Sequence, residues 1–254
     1  MVEARGPGQV VLATERLSRN FGGLAAVREV SLALKHGELH AVIGPNGAGK
    51  TTLVNLLSGA LKPSAGRILV DGRDVAGEPA WRMSRLGVGR SFQRTNIFAP
   101  LSVLENVRLA VQAVSPSLNP LAAAATVAVL AARAEASLTR VGLAQLASRP
   151  AGMLSHGEQR QLEIAMAVAG AAKVLLLDEP LAGMGVEESE RMVALLRALA
   201  REHAVLLIEH DMDVVFAVAD WMTVMVEGAV LASGRPQAIR ANRDVQAAYL
   251  GSAP

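Results

Sequence analysis

The sequence has no cysteine, few aromatic residues and almost no net charge. The lack of cysteine excludes disulfides and thiolate metal sites, which agrees with a reducing compartment. Aromatic residues make up 3% of the chain and the formal net charge is +2. This composition argues against the series of stacking aromatics and the dense basic face that bind nucleic acids. We expect no nucleic-acid partner.

Long hydrophobic runs are also missing, although hydrophobic residues make up 51% of the chain. Much of that share is alanine. The most apolar stretch, Leu121–Ala132, has about twelve residues, whereas a membrane span needs roughly 20. Residues Met1–Gly8 contain no apolar core of the kind that a signal peptide needs. The sequence therefore predicts no transmembrane helix and a cytoplasmic protein.

Strand-like and helix-like segments alternate along most of the chain. Apolar runs predict strands at Val10–Leu17, Ala26–Leu34, Leu39–Ile43, Val174–Asp178, Val205–Ile208 and Met222–Val226, with a hairpin at Asp71-Gly72. Helices are predicted at Lys50–Ser58 and Val186–Leu199, and helical spacing dominates between residues 93 and 171. This order is typical of an α/β fold with a mostly parallel sheet. We predict one domain over residues 10–254, with a core at 10–92 and 172–254 and a helical subdomain at 93–171.

A glycine-rich loop lies between the strand Leu39–Ile43 and the helix after it. Its sequence GPNGAGKT, Gly44–Thr51, fits the pattern G-x-x-x-x-G-K-[ST] in full. Such glycines let backbone N–H groups surround phosphate oxygens at a helix N-terminus, while the lysine adds charge and the hydroxyl binds Mg²⁺. The expected ATP-binding residues here are Gly44, Pro45, Asn46, Gly47, Ala48, Gly49, Lys50, Thr51 and Thr52.

A pair of acids ends the apolar strand in KVLLLDEP. Asp178 is suited to hold Mg²⁺ through water, and Glu179 to accept the proton of an attacking water. Alone, this segment is equally well read as a strand followed by a helix-capping DEP. Beside the phosphate loop, it predicts a nucleoside triphosphatase.

Four further features resemble the ATP-binding cassette (ABC) family in order and spacing, from about Val10 to Gly251. LSHGE, Leu154–Glu158, resembles the signature, Gln93 the Q-loop glutamine, His210 the switch histidine, and Phe21 the aromatic that stacks on adenine. Singly, each has an ordinary structural reading, such as a helix N-cap, a surface glutamine, a core histidine or a core aromatic.

The resemblance implies an ABC ATPase core with N-terminal antiparallel strands and an inserted helical subdomain. In that family two cassettes pack head to tail around two ATP molecules. Ser155 and Gly157 would contact the γ-phosphate held by the partner's loop. Catalysis would then depend on Lys50, Gln93, Glu179 and His210, and Mg²⁺ on Thr51, Gln93 and Asp178.

Several sequence segments resemble one group within this family. FGGLAAVREVSL, LEIA, LLIEHDMDVV and VQAAYLG are similar to ATPases of the branched-chain amino acid uptake group, which also serves urea, amides and aromatic acids. This similarity implies an importer motor on the inner face of the membrane. Its partners would be permease subunits, a second ATPase or a copy of itself, and, indirectly, a periplasmic solute-binding protein.

The chain also departs from the family pattern. His156 and Glu158 stand in the signature, Met166 replaces an arginine in LEIARA, and Met184-Gly185 replaces Leu-Asn in the D-loop, Leu181–Gly185. The D-loop couples the two ATP sites in the family, so this change bears on their communication. Three alternatives remain open: a non-transport ABC ATPase of DNA repair or translation, an ATP-gated module with little turnover, and an exporter ATPase.

Overall fold

The computed structural model describes residues 6, 8–91, 96–114 and 124–250, with side chains from 128 to 248 in the last range. Gln93 lies outside these residues. The elements in chain order are β1 Val10–Phe21, β2 Leu24–Lys35, β3 Leu39–Ile43, α1 Lys50–Leu57, β4 Ala65–Val70, β5 Arg73–Asp74, α2 Ala80–Arg85, β6 Val88–Arg90, α3 Val103–Val114, α4 Ala124–Arg140, α5 His156–Ala169, β7 Val174–Asp178, α6 Val186–Ala200, β8 Ala204–Ile208, α7 Met212–Val218, β9 Trp221–Val226, β10 Ala229–Gly234, α8 Pro236–Arg240 and α9 Arg243–Leu250.

The larger sheet has six strands in the order β10-β9-β3-β8-β7-β6. Neighbours from β6 to β9 pair in parallel, whereas β9 and β10 form an antiparallel hairpin. Every residue of β3, β7 and β8 is buried, which explains their continuous apolar sequences. The carboxyl ends of these three strands therefore meet at one edge, where ligands bind in open α/β sheets.

A second, antiparallel sheet has the order β2-β1-β4-β5. β1 and β2 are both longer than predicted, and β1 ends at Phe21. The predicted hairpin at Asp71-Gly72 joins β4 to β5. The predicted N-terminal antiparallel strands and the mostly parallel core sheet are both confirmed.

Helices α3, α4 and α5 pack against one another between β6 and β7 in the sequence. Val103, Val107 and Val111 recur at a spacing of one helical turn and are fully buried. They belong to one apolar cluster with Leu175 and Leu177 of β7, so the helical part and the sheet share a continuous core. Within the described residues, none of the helices is long and apolar enough to cross a membrane.

Candidate functional site

The glycine-rich loop packs closely against the backbone of β2 and β9. Gly44 and Gly49 have φ angles of 154° and 94°, and a Cβ there would lie 2.1 Å from the Met225 carbonyl oxygen and 2.3 Å from that of Ala26. Only glycine combines these left-handed angles with such close backbone approach. The sequence GPNGAGK therefore folds into a tight turn that leads directly into the N-terminus of α1, a geometry suited to phosphate groups.

Lys50, the first residue of α1, is 6% exposed and folds back over this loop. Its Nζ donates to the carbonyl oxygens of Gly44 at 2.6 Å and Pro45 at 3.0 Å. Burial lowers the pKa of Lys50, and the nearby carboxylates of Glu179 and Asp178 oppose that shift. The loop thus carries a buried ammonium beside two acids.

A cleft of about 830 Å³ opens above the loop. Its walls include Phe21, residues Asn46 to Thr52, Glu179 and His210, so the structure brings the base-stacking candidate, the phosphate loop and two catalytic candidates together. This volume is within the usual range for small-molecule sites. The Phe21 ring is 43% exposed, and the Arg19 guanidinium carbon lies 4.6 Å from its centroid, a cation–π contact.

Asp178, the last residue of β7, is fully buried, and neither carboxylate oxygen has a hydrogen-bond partner within the described residues. Arg90 Nη2 lies 3.9 Å from Oδ2. Burial raises the pKa of Asp178, and the Arg90 charge opposes this. Burying a carboxylate without hydrogen-bond partners reduces the stability of the folded protein. The oxygens of Asp178 are of the kind that a hard cation such as Mg²⁺ prefers.

Glu179 follows directly and has a φ angle of 52°. For a residue other than glycine this backbone region costs roughly 1–3 kcal/mol and is found mainly at functional sites. Glu179 Oε1 lies 2.6 Å from His210 Nε2. The ends of β7 and β8 thus place two of the four predicted catalytic side chains, Glu179 and His210, in direct contact at the cleft.

The signature serine lies elsewhere on the chain. Ser155 is the N-cap of α5: its hydroxyl accepts from Glu158 N at 3.3 Å, and Glu158 Oε2 accepts from Ser155 N at 2.7 Å. Ser155 Oγ also donates to Glu188 Oε1 at 3.3 Å, and a Cβ on Gly157 would lie 2.9 Å from the same oxygen. Ser155 and Gly157 line a separate pocket and not the cleft with Lys50.

Sequence reasoning missed the carboxylate of Glu209, which directly precedes His210. Glu209 is 5% exposed; Oε1 accepts from Leu181 N at 2.8 Å, and Oε2 accepts from His210 N at 3.2 Å. Burial raises the pKa of Glu209, and the two backbone hydrogen bonds oppose that shift. An acid at the end of an apolar strand was the available signal, as in the Asp178 strand.

A second missed residue is Glu163 on the buried face of α5. Its carboxylate accepts from Asn96 N at 2.6 Å and from Arg160 Nη1 at 2.9 Å. Asn106 of α3 binds the same segment, accepting from Phe98 N at 2.8 Å and donating to Phe98 O at 3.1 Å. Residues 96–98, which follow the predicted Q-loop, are therefore anchored to the helical part.

Comparison with known proteins places this site in a family. The family described as ABC transporter matches residues 27–182, and the one described as branched-chain amino acid ATP-binding cassette transporter matches residues 229–254. The chain is 40% identical over 253 residues to the high-affinity branched-chain amino acid transport ATP-binding protein LivG of Salmonella typhimurium, covering 96% of this chain and 99% of LivG. BraF of Pseudomonas aeruginosa, described in the same words, is 41% identical over 252 residues, covering 96% and 98%.

Solved structures agree with this placement. A nucleotide-free ATP-binding cassette from an ABC transporter superposes with a TM-score of 0.82 at 27% identity, covering 95% of this chain and 99% of that one. The ADP conformation of the cassette MJ1267 gives a TM-score of 0.82 at 28% identity, covering 96% and 100%. The phosphate loop, Glu179 and His210 share one cleft, and together with these similarities they show that the chain belongs to the ABC transporter family, as one of its ATP-binding, ATP-hydrolysing subunits.

Proposed function

We propose that this chain is the ATP-driven motor subunit of an ABC importer for branched-chain amino acids or related small solutes such as urea, amides or aromatic acids. The observation that carries the ATP-hydrolysing part of this proposal is the contact of Glu179 with His210 in the cleft that holds Lys50. Near-full-length similarity to LivG and BraF supports the solute class.

ATP binds along the cleft in this proposal. Phe21 stacks on the base, and Gly44–Thr52 surround the phosphates. The Lys50 ammonium exchanges its two carbonyl contacts for phosphate oxygens, which are stronger partners because they are charged. Thr51, Asp178 and Gln93 would hold Mg²⁺, which would neutralise charge that develops on the phosphates.

Glu179 acts as the general base. An ionised carboxylate only accepts hydrogen bonds, so His210 Nε2 carries the proton in their 2.6 Å contact. This bond holds the Glu179 side chain in place. When His210 turns to donate to the γ-phosphate, the Glu179 carboxylate is released to take the proton of the attacking water.

A second cassette completes the site in this proposal. Ser155 and Gly157, at the N-terminus of the fourteen-residue helix α5, contact the γ-phosphate held on the partner cassette. The hydrogen bond from the Ser155 hydroxyl to Glu188 breaks when Ser155 contacts the γ-phosphate, because the hydroxyl has only one proton to donate. The partner is a distinct ATPase or a copy of this chain.

The permease docks beside the helical part. A groove of about 260 Å³ lies between the core and the helices, and its lining includes Ala80, Asn96, Ala113 and Met166. Trp81 and Phe98, on neighbouring segments, are 61% and 54% exposed. We propose that this groove receives a helix of the permease and that residues 93–171 move against the core, 10–92 and 172–254. The chain then works on the inner face of the membrane, and the periplasmic solute-binding protein acts through the permease.

The test is uptake by a reconstituted transporter. The chain is co-purified with the permease subunits of its transporter and placed in liposomes with Mg-ATP. Labelled leucine and labelled urea are then offered with the binding protein. We expect ATP-dependent uptake that Lys50→Ala abolishes. A hydrolysis rate that is the same with and without the permease would identify a non-transport ATPase. ATP binding without turnover would identify an interaction module. Movement of solute out of the compartment that corresponds to the cytoplasm would identify an exporter.

A further inference from the structure

One buried carboxylate joins the two loops that flank the catalytic pair. Glu209 Oε1 accepts from Leu181 N, the first residue of the D-loop, at 2.8 Å. Oε2 accepts from His210 N at 3.2 Å. The side chain does not line the nucleotide cleft. Glu209 therefore contacts the backbone of both loops without touching the space where ATP binds.

These two bonds close a ring through the catalytic residues. Glu179 N donates to Ile208 O at 2.9 Å, and Glu179 Oε1 contacts His210 Nε2 at 2.6 Å. Glu209 adds the third connection, from His210 N back to Leu181, two residues after Glu179. The strained φ angle of Glu179, 52°, is of the kind that persists only where the surrounding structure fixes it from several sides.

Only a carboxylate can make both bonds. Each of its oxygens accepts one backbone N–H. A glutamine of the same shape has one oxygen and one NH₂ group. In Glu209→Gln, one of the two backbone N–H groups would therefore face another donor, and that loop would lose its attachment.

We propose that Glu209 is a positioning residue that fixes the D-loop and His210 in one geometry relative to Glu179. This inference rests on the proposed role of Glu179 as the base. The D-loop faces the neighbouring cassette in the family's head-to-tail pair, and His210 faces the γ-phosphate. A movement of the D-loop is then transmitted through Glu209 to the backbone of His210.

The test compares Glu209→Gln with wild type and with Glu135→Gln, which removes an exposed glutamate of α4. We expect kcat to fall about tenfold or more while the Kd for ATP changes less than about twofold, because His210 and the D-loop lose the geometry that stabilises the transition state while the residues that bind ATP are unchanged. Hydrogen exchange followed by mass spectrometry should show faster exchange in peptides that cover 180–185. Glu135→Gln should match wild type in all three measurements.

Two results would overturn the inference. Wild-type kcat together with unchanged hydrogen exchange at residues 180–185 would show that the bonds to Glu209 do not position the D-loop or His210. A rise in Kd as large as the fall in kcat would show that Glu209 supports nucleotide binding instead. Glu179→Gln is measured alongside: if that variant kept wild-type turnover, the proposed base would be wrong. A silent Glu209→Gln with an inactive Glu179→Gln would reject this inference alone.

Discussion

His210 Nε2 and Glu179 Oε1 are 2.6 Å apart although the residues lie on different strand ends, 31 positions apart in the sequence. The contact exists because β7 and β8 are parallel neighbours, with Asp178 paired to Ile208. One strand supplies the Mg²⁺ candidate and the proposed base, and the loop after the next strand supplies the histidine. The geometry of the Glu179–His210 contact is thus set by a single pair of strands.

Glu179→Gln should retain ATP binding and lose most turnover. An amide cannot accept the proton of water, and a general base contributes about 10²–10⁴-fold. Phosphate release measures the loss, and size-exclusion chromatography with Mg-ATP should show a stable dimer of this variant, alone or with the second ATPase. Glu135→Gln serves as the control for charge loss. Turnover within twofold of wild type would rule out Glu179 as the base.

Lys50→Ala should weaken ATP binding itself. The ammonium is the cationic member of the loop and lies near two carboxylates, so its loss also leaves their charge less compensated. Equilibrium binding of a fluorescent ATP analogue should show a large increase in Kd. Lys62→Ala, an exposed lysine after α1, is the matched control. An unchanged Kd would contradict the proposed role of the loop.

Asp178→Asn should make the nucleotide-free protein more stable and the enzyme inactive. The wild-type carboxylate is fully buried with neither oxygen hydrogen-bonded among the described residues, and removing such a charge typically gains about 1–3 kcal/mol. Urea unfolding in EDTA measures the gain, and Mg²⁺-dependent hydrolysis measures the loss. A less stable variant would mean that the Arg90 charge already compensates Asp178.

His40 makes the stability of the fold depend on pH. Its ring is buried in β3, Nε2 lies 2.8 Å from Thr223 Oγ1, and burial lowers its pKa from 6.5 to about 4. The unfolded chain thus binds the proton more readily, so stability is full above about pH 6.5 and falls as pH drops toward 4. The slope of unfolding free energy against pH over this range should be smaller in His40→Gln. An identical slope would assign it to other groups, such as His203, whose pKa burial also lowers.

Glu188→Ala should favour the ATP-bound dimer. Glu188 accepts from the Ser155 hydroxyl and lies beside Gly157, the two residues proposed to bind the partner's γ-phosphate. Its removal should lower the ATP concentration at which the Glu179→Gln background dimerises. It should also cost about 1 kcal/mol of stability, because Glu188 Oε2 no longer accepts from Gly185 N, at 3.4 Å, at the start of α6. Glu187→Ala, an exposed neighbour in the same turn, is the control. Weaker dimerisation would show that Glu188 supports the signature.

The sequence predicts most of the core because the core strands have strong local signals. β3, β7 and β8 are continuous apolar runs, and the glycine-rich loop has a pattern that is hard to satisfy by chance. By contrast, β10 and the short helices α2, α7, α8 and α9 were not predicted. Each has at most eight residues, too few for a clear periodicity.

The site was predicted as residue types rather than as contacts. Sequence indicates that Glu179 and His210 belong to one site, but their hydrogen bond depends on strand order. The bonds of Glu209 to Leu181 and of Glu188 to Ser155 join residues 28 and 33 positions apart, so no local pattern reveals them. The role of Gln93 and the action of Ser155 and Gly157 on a partner stay predictions.

The continuous apolar cluster has a consequence for engineering. Val107 of α3 and Leu177 of β7 belong to the same buried cluster, as do residues of α5, α6 and β8. The helices are therefore not a detachable module with an independent interior. A chimera that took only this region from a relative would create cavities or overlaps where the two interiors meet. Functional grafts would have to exchange the facing side chains of β7 and β8 together with the helices.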